Sequence, residues 1–154
     1  MSQDPVKALW KQCEGEPFRQ MMGIEVLSIE PGKAKVAMDY GERFNNVFGR
    51  LHGGAVFSLL DEAFQLACNA HGSIAVALQL NVVYLAPAEL GSRLLATAEE
   101  THATRKTALY AAKVWQEADG KAVAEATAMA YRVGKPLPFL EEGWEECGGE
   151  APFS

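Results

Sequence analysis

Only three of the 154 residues are cysteine, at positions 13, 68 and 147. An odd, widely spaced set with no CxxC and no Cys/His spacing gives neither a disulfide framework nor a zinc site, so idle or buried thiols are expected. Basic charge is also thin. Fourteen Lys and Arg face twenty Asp and Glu, for a net charge of −6, and no basic stripe appears. That argues against general nucleic-acid binding, while leaving local cations for a small polyanion. Nowhere do the roughly 18 consecutive apolar residues of a membrane span occur. The opening MSQDPVKALW has no apolar segment behind a basic start, so no secretory leader is expected and a reducing cytoplasm is. No residue pattern calls for a metal or a redox cofactor.

What is present fits one globular domain: 49% of the residues are hydrophobic, in a chain long enough to bury a core. Acidic charge gathers at the end, where five Glu stand against one Lys from Gly134 onward. Residues 1–133 therefore read as a single domain. Residues 134–154 lack periodicity and read as a loose acidic extension, with Phe139 and Trp144 as candidate docking residues.

Val6, Leu9, Trp10 and Cys13 follow helical spacing, with Asp4 as N-cap and Pro5 at the first helical position. IEVLSIE turns at Pro31-Gly32 into KAKVAMDY, a hairpin of period two. Paired apolar positions from Ala55 to Ala67 then predict a helix from about Gly53 to Asn69 that is packed against something large. Three or four strands follow in SIAVALQLNVVYLA, SRLLATAEETHA, TALYAAKVWQEA and KAVAEATAMAYRV, the last two joined through Asp119-Gly120. One strongly apolar helix needs a sheet to wrap it, which gives α+β architecture. The other sheet face stays open unless subunits pair.

Chemistry concentrates in NNVFGRLHGGAVFSLLDEAF, where Asn46, His52, Gly53, Gly54 and Asp61 give N-x5-H-G-G-x6-D. The glycines fall in the first helical turn, where backbone N–H groups lack partners and a ligand oxygen meets no side chain. That suits a developing oxyanion, or simply a tight turn. His52 can orient the loop, bond a carbonyl or cap the helix, and Asn46 can position a water or merely shape the loop. Asp61 is a carboxylate inside an oily helix, with Glu62 beside it expected to face water. Asp61 lies eight residues beyond Gly53, a rise of about 12 Å. One helix therefore cannot bring both to a single carbonyl, whereas two antiparallel copies can. Desolvation would raise the Asp61 pKa and suit it to general-base work; the plainer alternative is a solvated helix edge.

NVFGRLHGGAVFSLLDEAF, LACNAHG, NVVYLAPAELGSRLLATAEE and TALYAAKVWQEADGKAVAEATAMAYR resemble the hotdog-fold acyl-CoA thioesterases, in their PaaI-like (phenylacetate-degradation) branch, over about residues 18–133. The resemblance implies an antiparallel sheet around one long helix, and dimers, often paired into tetramers, with interfacial sites. It implies that Gly53 donates its N–H to the thioester carbonyl and that Asp61 of the neighbouring subunit activates water or attacks directly. Asn46 would position water or substrate, and His52 would support the loop. Gly54, next to the catalytic Gly53, counts as substrate-binding. Related enzymes often carry Ser or Thr where counting back from Tyr84 gives Ala77; Gln79 and Asn81, on the same face by strict alternation, are the substitutes. For the coenzyme A phosphates the first candidates are Arg105 and Lys106, with Arg50 behind, though exposed charge at a strand end is the commoner reading of each.

The expected function is hydrolysis of an acyl-CoA thioester, with coenzyme A as part of the substrate. A thiolate leaves readily, so an oxyanion site and one carboxylate suffice, and no GxSxG motif suggests a triad. Alternatives are a hotdog dehydratase or hydratase with His52 moving the proton, and a non-catalytic acyl-CoA binding module.

Overall fold

The computed structural model describes residues 3–140. Asp4 accepts from the Val6 N–H at 3.0 Å and starts helix α1, Pro5–Glu14, as its N-cap. A second helix that the sequence pattern does not reveal, α2 (Pro17–Met22), follows at once and ends on Gly23 with φ +69°. Strands β1 (Glu25–Glu30) and β2 (Lys33–Asp39) form the expected hairpin. Gly32 takes φ +79°, the left-handed conformation that the third position of a type II turn needs after a proline.

Helix α3 spans Gly53–Asn69, as its apolar pairs predict. Strands β3 (Ser73–Tyr84), β4 (Arg93–Ala103), β5 (Thr107–Gln116) and β6 (Ala122–Pro136) complete one antiparallel sheet of order β1-β2-β4-β5-β6-β3. The sheet wraps α3 because its inner face is small. Ala96, Ala98, Ala112, Ala124, Ala126 and Ala128 are buried there, leaving room for Leu59, Leu60, Phe64 and Leu66 from the helix, each at most 1% exposed. Side chains of that size, fully buried, contribute about 1.5–3 kcal/mol each. Phe64 meets Tyr110 edge to face, with centroids 5.2 Å apart.

Three sequence expectations need correcting. The ordered body does not stop at 133: β6 runs to Pro136, Leu137 is buried, and Phe139 packs on its own core rather than standing free. Trp144 lies outside the described residues. Glu62 does not face water. It is 4% exposed, because α1 and α2 cover a side of α3 that the sheet leaves open. Finally, β3 carries a bulge between Ala77 and Gln79. Ala77 pairs with Ala130 on the helix side, whereas Gln79 and Asn81 pair with Met129 and Thr127 on the outer side. Gln79 and Asn81 therefore do not share a face with Ala77 and do not reach the helix. Among the described residues no helix is long and apolar enough to cross a membrane.

Candidate active site

The start of α3 is built by the residues before it. His52 is its N-cap, and Nδ1 accepts from the Gly54 N–H at 2.8 Å. An accepting Nδ1 carries no proton, so Nε2 holds the hydrogen of the neutral ring. The His52 N–H donates to the Phe44 carbonyl at 2.8 Å, which fixes the cap to the preceding loop. Of the two glycines only Gly53 is left with a free donor, since no described residue accepts its N–H. Gly54 lines a cleft, but its own N–H is taken by His52, so a role in binding an oxyanion falls to Gly53 alone.

Asn46 ties the loop. Its side-chain oxygen accepts from the N–H groups of Phe48 (2.8 Å) and Arg50 (3.2 Å), and its backbone N–H donates to the Arg50 carbonyl at 2.7 Å. The carboxamide nitrogen has no described acceptor. Asn46 and Gly53 open together on a cleft of about 330 Å³, with Arg50, Val56, Tyr84 and Pro87 also in its walls. Tyr84, which sequence reasoning used only as a landmark, touches the site directly. Its hydroxyl donates to the Gly53 carbonyl at 3.1 Å, and a Cβ on Gly53 would lie 3.2 Å from its ring. The signal for it was faint, an aromatic at the end of an exposed strand. A second cleft, of about 270 Å³, lies on the other side of the helix start, between Phe18 and Met22 of α2 and His52, Gly54 and Ser58.

Asp61 is half-buried on the ridge of α3 that carries Phe57 and Gln65, which are exposed. It lines neither cleft. Burial, and then the charge of Glu16, hold its carboxyl above the usual aspartate value. One protomer thus separates the free Gly53 donor from the Asp61 carboxylate, as helix geometry requires. Of the coenzyme candidates, Arg50 lines the Gly53 cleft, while Arg105 and Lys106 do not. They sit in the β4–β5 turn, at the Tyr131 end of the sheet. Tyr84 and the Gly53 cleft lie at the Ala124 end, seven residues along β6 and about 23 Å away. Phe64 and Met38 fill the core, whereas Phe57 on α3 is exposed. Cys13 and Cys68 are free, and burial pushes their thiols up to about 11 and about 12, so neither is a thiolate near neutrality. Cys147 lies outside the described residues.

An antiparallel sheet curled round one helix, whose N-terminus offers a bare backbone donor to a cleft, is the hotdog class of fold. The chain belongs to the thioesterase superfamily, whose family model matches residues 48–123. A putative esterase of Archaeoglobus fulgidus is 36% identical over 119 residues, covering 77% of each chain. The acyl-coenzyme A thioesterase PaaI of Escherichia coli is 33% identical over 121 residues, covering 79% of this chain and 86% of its own. The solved structure of that PaaI protein superposes with TM-score 0.79 at 30% identity, over 86% of this chain and 98% of the other. A Streptococcus mutans protein solved bound to acetyl CoA is 30% identical, with TM-score 0.70, over 74% of this chain and 91% of the other.

Proposed function

We propose that the protein hydrolyses acyl-CoA thioesters to free acid and coenzyme A, at sites shared between two copies of the chain. The observation that carries this reading is the split itself. Gly53 presents an unused N–H to a cleft, and the carboxylate suited to serve it stands two turns further along the same helix, on the face its own sheet leaves open. The likeness to an acyl-coenzyme A thioesterase and to a chain solved with acetyl CoA supports the substrate class.

The edge strand supplies a way to pair. β3 is twelve residues long, ends the sheet, and exposes Leu78, Val83 and Tyr84, an edge that invites another strand. Joining two β3 strands about a two-fold axis runs the two α3 helices antiparallel and brings Gly53 of one copy toward Asp61 of the other. Exposed Leu109 and Tyr131 on the outer sheet face offer a second surface, through which dimers pair into tetramers.

In the chemical step the thioester oxygen accepts from the Gly53 N–H, where the helix dipole favours negative charge. Asp61 of the partner subunit takes a proton from water, whose oxygen bonds to the carbonyl carbon. The C–S bond then breaks, and the same proton passes to the departing sulfur. Asn46 offers its amide N–H to the substrate or the water, and His52 keeps the helix start in place. Arg50 is the cation in the cleft for a coenzyme phosphate. No metal or redox group takes part.

The test is release of free thiol from a panel of aliphatic, aromatic and hydroxylated acyl-CoAs, with sedimentation of the same preparation. Turnover by a dimer or tetramer is expected. Acyl-CoA binding without thiol release from any member of the panel would move the reading to a hotdog hydratase or a binding module.

A further inference from the structure

Glu62 carries a charge-bearing group with no part in the chemistry above. Its Oε1 is buried without a hydrogen-bond partner, and among the described residues no ion pair reaches it. Glu100 makes the contrast. It accepts from Tyr110 at 2.8 Å and from His71 at 2.9 Å, with Arg132 at 3.5 Å. Burial works against its charge, yet those partners hold its carboxyl below the usual value.

The groups around Glu62 cannot do the same for an anion. Arg19 of α2 is the cation in reach, but it makes no ion pair with Glu62: three of its five N–H donors hold main-chain carbonyls, of Cys13 at 2.7 Å, Ile24 at 2.6 Å and Glu14 at 3.3 Å. Glu16, just before α2, and Asp61 on the same helix are both acidic, and the nearby Cys13 thiol of α1, beside Glu14, donates to the Trp10 carbonyl at 3.1 Å. Glu16 already accepts from Gln65 at 3.1 Å. Two ionised carboxylates only accept, so Glu62 and Glu16 can bond only if one holds a proton. The buried one is the one that keeps it. Burial first, then the Glu16 charge and the hydrogen bond to Glu16, raise Glu62 to about 8.

We propose that Glu62 is a positioning residue: as a neutral acid it donates to Glu16, fastens α2 onto α3, and so fixes the Phe18 and Met22 wall of the cleft beside His52 and Gly54. The role rests on the thioesterase reading only for its effect on turnover; the docking of α2 is a property of the fold. The sign follows from the raised folded-state value. The contribution of Glu62 to stability is fully present below the usual glutamate pKa of about 4.5 and is lost as pH rises through about 8. Above that, repulsion from Glu16 loosens α2.

The experiment compares wild type, Glu62→Gln and Glu62→Leu from pH 6 to pH 9. It reads KM and kcat, the melting temperature, and limited proteolysis of the segment 5–22. The amide of Glu62→Gln donates to Glu16 at every pH, so this variant should match wild type at low pH and lose the alkaline rise in KM, the alkaline fall in melting temperature and the alkaline cleavage. Glu62→Leu packs but cannot donate. At every pH its KM should stand about tenfold above that of wild type at pH 6, as loss of one charge-assisted bond would give, with kcat held. Parallel pH curves for wild type and Glu62→Gln, or a KM equal to that of wild type in Glu62→Leu at pH 6, would overturn the proposal. Should no acyl-CoA be turned over, melting and proteolysis still decide the docking role, and a pH-dependent α2 without turnover would sink the thioesterase reading alone.

Discussion

Replacing Asp61 by Asn lowers kcat for thiol release by about 10²- to 10⁴-fold while leaving KM near wild type, the range that loss of a general base produces. The substitution keeps the shape of the side chain and removes only its ability to take a proton. The fold should not suffer. A carboxylate held above its usual pKa disfavours the folded state once it is ionised, so the Asn variant melts at or above the wild-type temperature near neutral pH. The same shift fixes the pH dependence of the parent. Asp61 must be ionised to act, so the acid limb of kcat/KM falls above the value of an ordinary aspartate. Glu16→Gln removes the second cause of the shift and moves that limb down. A pH profile of the three proteins checks both statements; an acid limb at the ordinary aspartate value would remove Asp61 from the role of base.

Gly53→Ala produces the second large effect. The new methyl group would stand 3.2 Å from the Tyr84 ring and hydroxyl, so Tyr84 must give by a few tenths of an ångström, which strains its hydrogen bond to the Gly53 carbonyl. It also stands where the thioester oxygen must approach the one free N–H. Loss or misalignment of a single oxyanion donor costs about 10²- to 10³-fold in kcat. Tyr84 is about half exposed and can yield without disturbing the core, so circular dichroism and melting should stay close to wild type. A Gly53→Ala protein with wild-type kcat would show that the carbonyl binds elsewhere.

The order of elements and the bounds of α3 were legible because its apolar pairs recur every four residues over seventeen positions. The N-x5-H-G-G-x6-D spacing likewise located the free donor and the separated carboxylate. What escaped has physical causes. PFRQMM is too short to show a helical period, so α2 was invisible, and with it the reason Glu62 is buried. A sequence pattern marks the face a sheet covers, but not the second face that a neighbouring helix covers. The bulge in SIAVALQLNVVY leaves no local signature, since strict alternation through Ala77, Gln79 and Asn81 reads the same with or without it. Charge alone singled out Arg105 and Lys106, which lie at the far end of the sheet from the Gly53 cleft of their own chain, whereas Arg50 lines that cleft. Tyr84 acts through a hydroxyl bond to a backbone carbonyl thirty-one positions earlier, a contact that only the closed fold creates.

The shared site is tested most directly by complementation. Asp61→Asn and Gly53→Ala chains, each nearly inactive, are unfolded together, refolded as a mixture and assayed for thiol release. A mixed dimer carries both lesions at one site and neither at the other. Random pairing should therefore restore about one quarter of wild-type activity. A mixture no more active than its two parents, with mixed dimers shown to be present by differential tagging, would contradict a site built from Gly53 of one copy and Asp61 of the other.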